Sequence, residues 1–411
     1  MNLPGFKKNY LKENFWDEEK KQISGRKFWN AIQPFIERGE LIVSEGTGDR
    51  TGLKLATYSK TYQLEHYSDP WDPIVQNCRG VIFDTTDDYK IVALPFAKFF
   101  NYGEAGIHTP APGAKIEAVY TKVDGSLGIC FYWRGKWHVT TRGSLNSDIG
   151  VEGQKIFDET ISQPSLAALF LPNIGHHAYT YLLEIIFKEN RICVNYHDER
   201  KLVYLGMRSS LTGENYFGSS WLSTWHNMQG IPRIFENVKH FDFTDFDAVT
   251  EYVNSQKGDE FEGVVMVIDG ELYKVKGEDY KRLHRIFSHF SFKRVLEAVQ
   301  DGTIDQMKLV LPEEFLDLAN EYIAKIQERV DYMSGKVFEA FQRLPGYGST
   351  KKDFALAVIE QYKGTFIPPF VFKLFDVREQ GQWLLDRQYY IDTLKQLILP
   401  TLKNADFKIE E

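Results

Sequence analysis

Short apolar runs punctuated by Gly, Asp and Pro fill the first two-thirds of the chain, and a different rhythm follows. Gly80-Val81-Ile82-Phe83, Ala118-Val119-Tyr120-Thr121, Gly128-Ile129-Cys130-Phe131-Tyr132 and Trp137-His138-Val139-Thr140 have the length and the β-branched or aromatic content of strands. Arg134-Gly135 and Asp269-Gly270 predict hairpin turns. Helical spacing interrupts the strands around Lys155 to Leu171 and Phe246 to Ser255, so the region up to about Lys281 predicts an α+β domain of antiparallel sheets with flanking helices. Beyond Tyr280 the strand pattern gives way to helical periodicity, as from Phe315 to Ile323 and from Phe354 to Tyr362, with breaks at Pro345-Gly346-Tyr347-Gly348 and Pro368-Pro369. Two domains are expected, residues 1–284 and an all-helical 285–411.

Composition narrows the class only a little. The chain has 411 residues, 43% hydrophobic and 15% aromatic, ample for two packed cores. Met1-Asn2-Leu3-Pro4-Gly5-Phe6-Lys7-Lys8 is followed by charged residues, so no signal peptide or membrane span is expected, and the location predicted is cytoplasmic, or the host cytoplasm for a viral protein. Cys78, Cys130 and Cys193 are too few and too scattered for a disulfide framework or zinc knuckle and read as buried thiols. The ten histidines show no metal or triad spacing. A net charge of −8 argues against coating nucleic acid by bulk electrostatics but leaves room for a local basic groove.

The candidate chemistry centres on Lys122-Val123-Asp124-Gly125-Ser126. A lysine amine with its ordinary pKa of about 10.4 must be desolvated or given cationic neighbours before it can act as a nucleophile. Arg79, Lys98, Lys274 and Lys276, in strand-like segments, are candidates to bind a polyphosphate and to depress the pKa of Lys122. Alone, Lys-x-Asp-Gly is more often a β-turn with a solvated lysine. In Tyr273-Lys274-Val275-Lys276 the period of two puts both lysines on one sheet face, suited to one phosphate or to an exposed hairpin. Glu184 and Glu262 stand in apolar contexts, where a carboxylate needs a cation, a hydroxyl or a metal; a buried structural ion pair is the rival reading. Gly125 is expected to permit a sharp turn, Asp124 either to accept from its own turn or to serve the chemistry at the nucleotide, and Ser126 to start the next strand.

Six elements then occur in one order: Lys122-Val123-Asp124-Gly125, Thr141-Arg142-Gly143-Ser144, Leu183-Glu184-Ile185-Ile186, Val203-Tyr204-Leu205-Gly206, Glu262-Gly263-Val264-Val265 and Lys274-Val275-Lys276. This order resembles the covalent nucleotidyltransferases, the superfamily of polynucleotide ligases and capping enzymes. Cys78-Arg79-Gly80-Val81-Ile82-Phe83 and Phe96-Ala97-Lys98-Phe99-Phe100-Asn101 upstream, with Tyr280, Leu283 and His284 downstream, narrow the resemblance to the RNA ligase 1-like family typified by bacteriophage RNA-repair enzymes. It implies that residues 1–284 are an adenylyltransferase domain, and that Lys122 takes AMP from ATP, passes it to an RNA 5′-phosphate and lets a 3′-hydroxyl seal the strand. It also implies magnesium as the metal, with manganese able to substitute, Lys274 and Lys276 on the α-phosphate, and Arg79 and Lys98 on the rest of the triphosphate. Glu184 would meet the ribose, Val265 and Leu205 or Tyr204 would wall the adenine slot, and Glu262 would contact metal-bound water. Asp305, in Asp301-Gly302-x-x-Asp305, would be a further acidic contact to the metal's water. Arg142 stands where related enzymes often have lysine, leaving its contact open between phosphate and RNA, and the carboxy-terminal helices match no motif. A GTP-dependent capping enzyme or a DNA ligase is disfavoured by the absence of an oligonucleotide-binding barrel pattern after Lys276. A tRNA-splicing ligase would need further domains, and a non-catalytic RNA-binding protein would not need the intact lysines and glutamates.

Overall fold

The short apolar runs form strands, several of them buried along nearly their whole length, that pair almost entirely with antiparallel neighbours. The computed structural model describes residues 9–67, 69–104, 108–162, 178–218, 234–289, 291–311, 313–344, 350–377, 387–403 and 407. The chain divides into two compact units, Met1–Arg285 and Ile286–Glu411.

In the first unit β1 (Trp16–Asp17) and β2 (Gln22–Ile23) form a ribbon, and β3 (Leu41–Glu45), β4 (Leu53–Tyr58), β5 (Arg79–Asp84) and β6 (Lys90–Ala93) form an antiparallel sheet in chain order. Then come β7 (Phe100–Asn101), β8 (Ile116–Lys122), β9 (Ser126–Trp133), β10 (Lys136–Thr141), β11 (Tyr179–Ile186), β12 (Lys201–Ser209), β13 (Asn215–Phe217), β14 (Glu236–Asn237), β15 (His240–Phe241), β16 (Gly263–Ile268) and β17 (Glu271–Lys276). These make two more sheets, β10-β9-β11-β12-β13 with β14 parallel to β12, and β15-β8-β16-β17-β7 with β7 parallel to β17. Both expected hairpins are present, with φ of 47° and 79° at Arg134 and Gly135 and of 49° and 75° at Asp269 and Gly270, the left-handed pair that a two-residue turn between twisted strands requires.

The consecutive strands β8 and β9 belong to different sheets, so Val123-Asp124-Gly125 carries the chain from one sheet to the other. Each sheet buries its outer face under a helix. Val249 and Val253 of helix Phe246–Asn254 pack on Val119, Val264 and Met266, while Ile156 and Phe157 of helix Asp148–Ile161 pack on Cys130, Val139 and Tyr181. The opposite faces are left for a cavity. Helix Asp148–Ile161 begins earlier than its apolar spacing predicts, because Ser147 caps it by accepting from Gly150 N at 3.1 Å while Gly150 and Gly153 interrupt the pattern; residues 163–171 of the expected helix lie outside the described residues.

The second unit is helical among its described residues: Phe292–Gln300, Ile304–Val310, Glu313–Arg343, Lys351–Tyr362, Pro368–Val377 and Arg387–Ile398. Its core gathers Val295, Ile326, Val337, Phe354, Leu374 and Leu394. Pro368 and Pro369 open a helix, where a missing N–H costs nothing; Pro345 to Gly348 lie outside the described residues. No described helix is long and apolar enough to cross a membrane, and all three cysteines are buried and unpaired.

Candidate active site

Strand register assembles the site. In β8, β16 and β17 the row Lys122, Gly263, Lys276 runs directly across three strands, and the row Tyr120, Val265, Lys274 lies two residues further on. Directly opposed residues share a face, so both rows point the same way, and they floor a cavity of about 500 Å³. Its other walls carry Glu184 and Leu205 from the second sheet, Arg79 from β5, Lys98, Phe99 and Arg142.

At one end Glu262, 2% exposed, accepts from Lys122 Nζ at 2.6 Å on Oε2 and from Lys276 Nζ at 2.9 Å on Oε1. Gly263 makes this double contact possible. At φ 152° it sits in the glycine region, and a Cβ there would fall 2.0 Å from Val275 O. Burial would push Glu262 up, but Lys122 and Lys276 outweigh it and hold the carboxyl below its ordinary value. For Lys122 the expected depression is overturned: burial opposes its charge, yet Glu262, then Glu184 and Asp124, win and hold it above the ordinary lysine value. The lysine that is pushed well below that value is Lys274, by burial and then by Lys98, Lys122, Lys276 and Arg79; it makes no ion pair among the described residues.

Glu184, 8% exposed on β11, is raised to about 7, first by burial, against the pull of Lys122. Asp124 does not accept from its own turn. Its Oδ2 accepts the backbone N–H groups of Cys193 and Val194, each at 2.8 Å, its Oδ1 accepts from Tyr280 Oη at 2.8 Å, and its own N–H donates to Tyr196 Oη at 3.0 Å. It is thus a tie between three chain segments, with both oxygens engaged. Gly125 has no positive φ; it is glycine because a Cβ would lie 2.9 Å from Glu184 Cγ and 2.7 Å from Ile185 O. Ser126 does start β9, and its Oγ donates to Asn190 Oδ1 at 3.0 Å.

The other end is basic and aromatic. Arg79 and Lys274 lie 5.2 and 5.4 Å from the centre of the Phe99 ring, and Arg142 lies 4.8 Å from that of Tyr58. Lys98 is 5.9, 5.5 and 5.3 Å from the rings of Tyr58, Trp71 and Phe100. It stands between β6 and β7, outside any strand, contrary to the strand-like placement expected from sequence. Burial would raise the Tyr58 phenol, but Arg79, Lys98 and Arg142 hold it below its ordinary value, and burial lowers both Arg79 and Lys98. Four cations facing aromatic rings, with few carboxylates among them, form a receptor for a polyanion. Tyr58 carried no motif signal, and Phe99 figures in one only as a neighbour of Lys98 in its element; Tyr58 arrives because its N–H bonds Cys78 O, beside Arg79. Between the two ends Leu205, Phe217, Val238, Val265 and Leu272 form an apolar slot. Tyr204, the alternative wall, is fully buried on the far face with Tyr181 and Phe157.

No group of three or more His, Cys, Asp or Glu among the described residues is arranged to hold a metal ion. Asp305 stands in the first turn of helix Ile304–Val310, within the second unit.

A half-buried lysine, a cluster of cations and an apolar slot thus line one cavity. The RNA ligase family model of the T4 RNA ligase 1 type matches residues 77–293, more than half of the chain, and the chain belongs to that family of enzymes. It is 23% identical over 398 residues to an RNA ligase of Rhodothermus phage RM378, covering 79% of this chain and 85% of that protein. With a protein of Autographa californica nuclear polyhedrosis virus named as a bifunctional polynucleotide kinase/RNA ligase, it shares 28% identity over 234 residues, 52% of this chain but only 31% of that one. The chain thus spans less than a third of the viral relative. Among solved structures, an archaeal ATP-dependent RNA ligase is similar at 11% identity and a TM-score of 0.40, covering 90% of this chain and 77% of that one.

Proposed function

We propose that this enzyme uses ATP to join RNA 5′-phosphate and 3′-hydroxyl ends through AMP carried on Lys122, in RNA repair. The observation that carries the reading is Lys122 on the same sheet face as Lys274 and Lys276, within one cavity that has a polyanion receptor at one end and an apolar slot beside it. In the first step Lys122 Nζ bonds the α-phosphorus of ATP and the bond to pyrophosphate breaks. The Lys122 proton must leave first, and Glu262 is the group it already points to. Lys274 and Lys276 offset charge on the α-phosphate, while Arg79 and Lys98 take the leaving pyrophosphate. Glu184 is placed for a ribose hydroxyl, and Leu205 and Val265 for the faces of the base. Glu262 would help to hold magnesium, which when bound would neutralise phosphate charge. AMP then passes to the RNA 5′-phosphate, returning Lys122 to the free amine, and attack by the 3′-hydroxyl on that phosphate releases AMP.

The apolar slot favours adenine over guanine, whose additional carbonyl and ring N–H would lose water without partners. Incubation with α-labelled ATP or GTP and magnesium, followed by denaturing electrophoresis, tests both chemistry and nucleotide. Label from ATP alone on the protein is expected; label from GTP would support a capping-type reaction, and none from either would end the reading.

Arg79→Ala and Lys98→Ala should each slow loading from ATP on the order of 10²-fold, the loss typical of removing one fixed charge stabiliser. Sealing of pre-adenylylated RNA should suffer much less, because pyrophosphate takes no part in it. Equal losses in the two assays would assign both residues to RNA contact or folding.

A further inference from the structure

A second cavity, of about 430 Å³, meets the first across Lys274 and Lys276, which line both. It lies at the sheet edge where the short β7 stops and β17 continues unpaired by it: Asn101 is the last residue of β7, opposite Lys274, and the N–H of Tyr102 donates to Lys274 O at 2.8 Å. That bond aligns Tyr102 beside the phosphate-binding lysines. The Tyr102 ring is 41% exposed and stacks on Phe246, with centroids 5.3 Å apart and planes 20° from parallel, so one face is backed by protein. Lys281 adds a cation to the rim, paired with Glu278 at 2.5 Å. Asn101 donates through its N–H and its Nδ2 to Glu104 Oε2, each at 2.7 Å, which engages that acid and fixes the turn; the Asn101 side-chain oxygen is buried with no donor among the described residues. A braced aromatic face with cations on one side supplies the parts of a site for one nucleotide of a single strand.

We propose that this cavity takes the 5′-terminal nucleotide of the RNA strand that receives AMP, with its base stacked on Tyr102. The inference rests on the ligase reading above and deepens it. In-line transfer requires the RNA 5′-phosphate to approach the AMP phosphorus opposite the Lys122 bond, on the side that pyrophosphate vacated. That side carries Lys274 and its cationic neighbours. The nucleoside behind the incoming phosphate must then lie next to Lys274 and outside the first cavity, where the second one opens. Stacking on Tyr102 accepts any base.

Protein loaded with labelled AMP is mixed with increasing concentrations of a 5′-phosphorylated oligoribonucleotide, and label transfer is read in a single turnover. Tyr102→Ala should raise the half-saturating RNA concentration about tenfold, in the range expected for one stacked base, with loading from ATP unchanged. Tyr102→Phe should restore the wild-type value, because the ring and not the hydroxyl does the stacking. Equal half-saturation in wild type and Tyr102→Ala overturns the assignment. So does a defect confined to the 3′-hydroxyl strand when pre-adenylylated RNA is sealed, since the cavity would then hold the other strand. A wild-type protein that loads AMP but passes none to RNA overturns the ligase reading, and this inference with it.

Discussion

Lys122→Ala should leave no detectable AMP on the protein. The phosphoramidate needs an amine at this position, and the nearby lysines are differently committed: Lys276 is paired with Glu262, and Lys274 stands one row further along the sheet. Loss should be complete and not graded, because no water or neighbouring group can form the same bond to the protein. Sealing of pre-adenylylated RNA should persist in part, since that step needs the phosphate-binding cations and the adenosine slot but no free amine. The paired assay separates chemistry from folding. A variant that fails in both would be judged by its thermal transition, and self-adenylylation at the wild-type rate would remove Lys122 from the mechanism.

Much of the site can be read along the chain because it is built from strands, where a period of two converts directly into a shared face. Lys274 and Lys276 are readable in this way, and so is Val265 once it is set opposite Lys274. What cannot be read is which charges meet. Lys122 and Glu262 are 140 residues apart in sequence, and their 2.6 Å contact depends on Gly263 lying bare between two lysines. The sign of the shift on Lys122 follows from that contact, so local sequence, showing cations alone, points the wrong way. Asp124 misleads for a similar reason: a carboxylate in a Lys-x-Asp-Gly turn invites a local bond, whereas its partners come from Cys193, Val194 and Tyr280. The role of Tyr58, and that of Phe99 inside the Lys98 element, is invisible because an aromatic residue in an apolar segment is ordinary core until a guanidinium or ammonium is found against its ring. The helical unit is readable as helices, since its period is long and sustained, but its functional contribution has no comparable signature.

Glu262→Gln should separate two roles that the same carboxylate can hold. In the free protein Glu262 keeps Lys122 protonated: a folded-state pKa above the ordinary lysine value means that the nucleophilic fraction grows with pH and levels off only above about 10.4. Were this its whole role, neutralising it would leave only Glu184 and Asp124 to favour the charged form of Lys122, lower its pKa, and raise the loading rate near neutral pH. If Glu262 also orients magnesium through water, the amide, with one acceptor oxygen and no charge, should instead reduce loading about 10–100-fold, the usual consequence of losing an outer contact to a metal. We expect the second result near neutral pH, accompanied by a higher half-saturating magnesium concentration. The first effect should still be visible in the pH profile, whose plateau should move to lower pH in the variant because the carboxylate that held the proton is gone. Faster loading at neutral pH, with an unchanged magnesium requirement, would reduce Glu262 to an anchor for the two lysines.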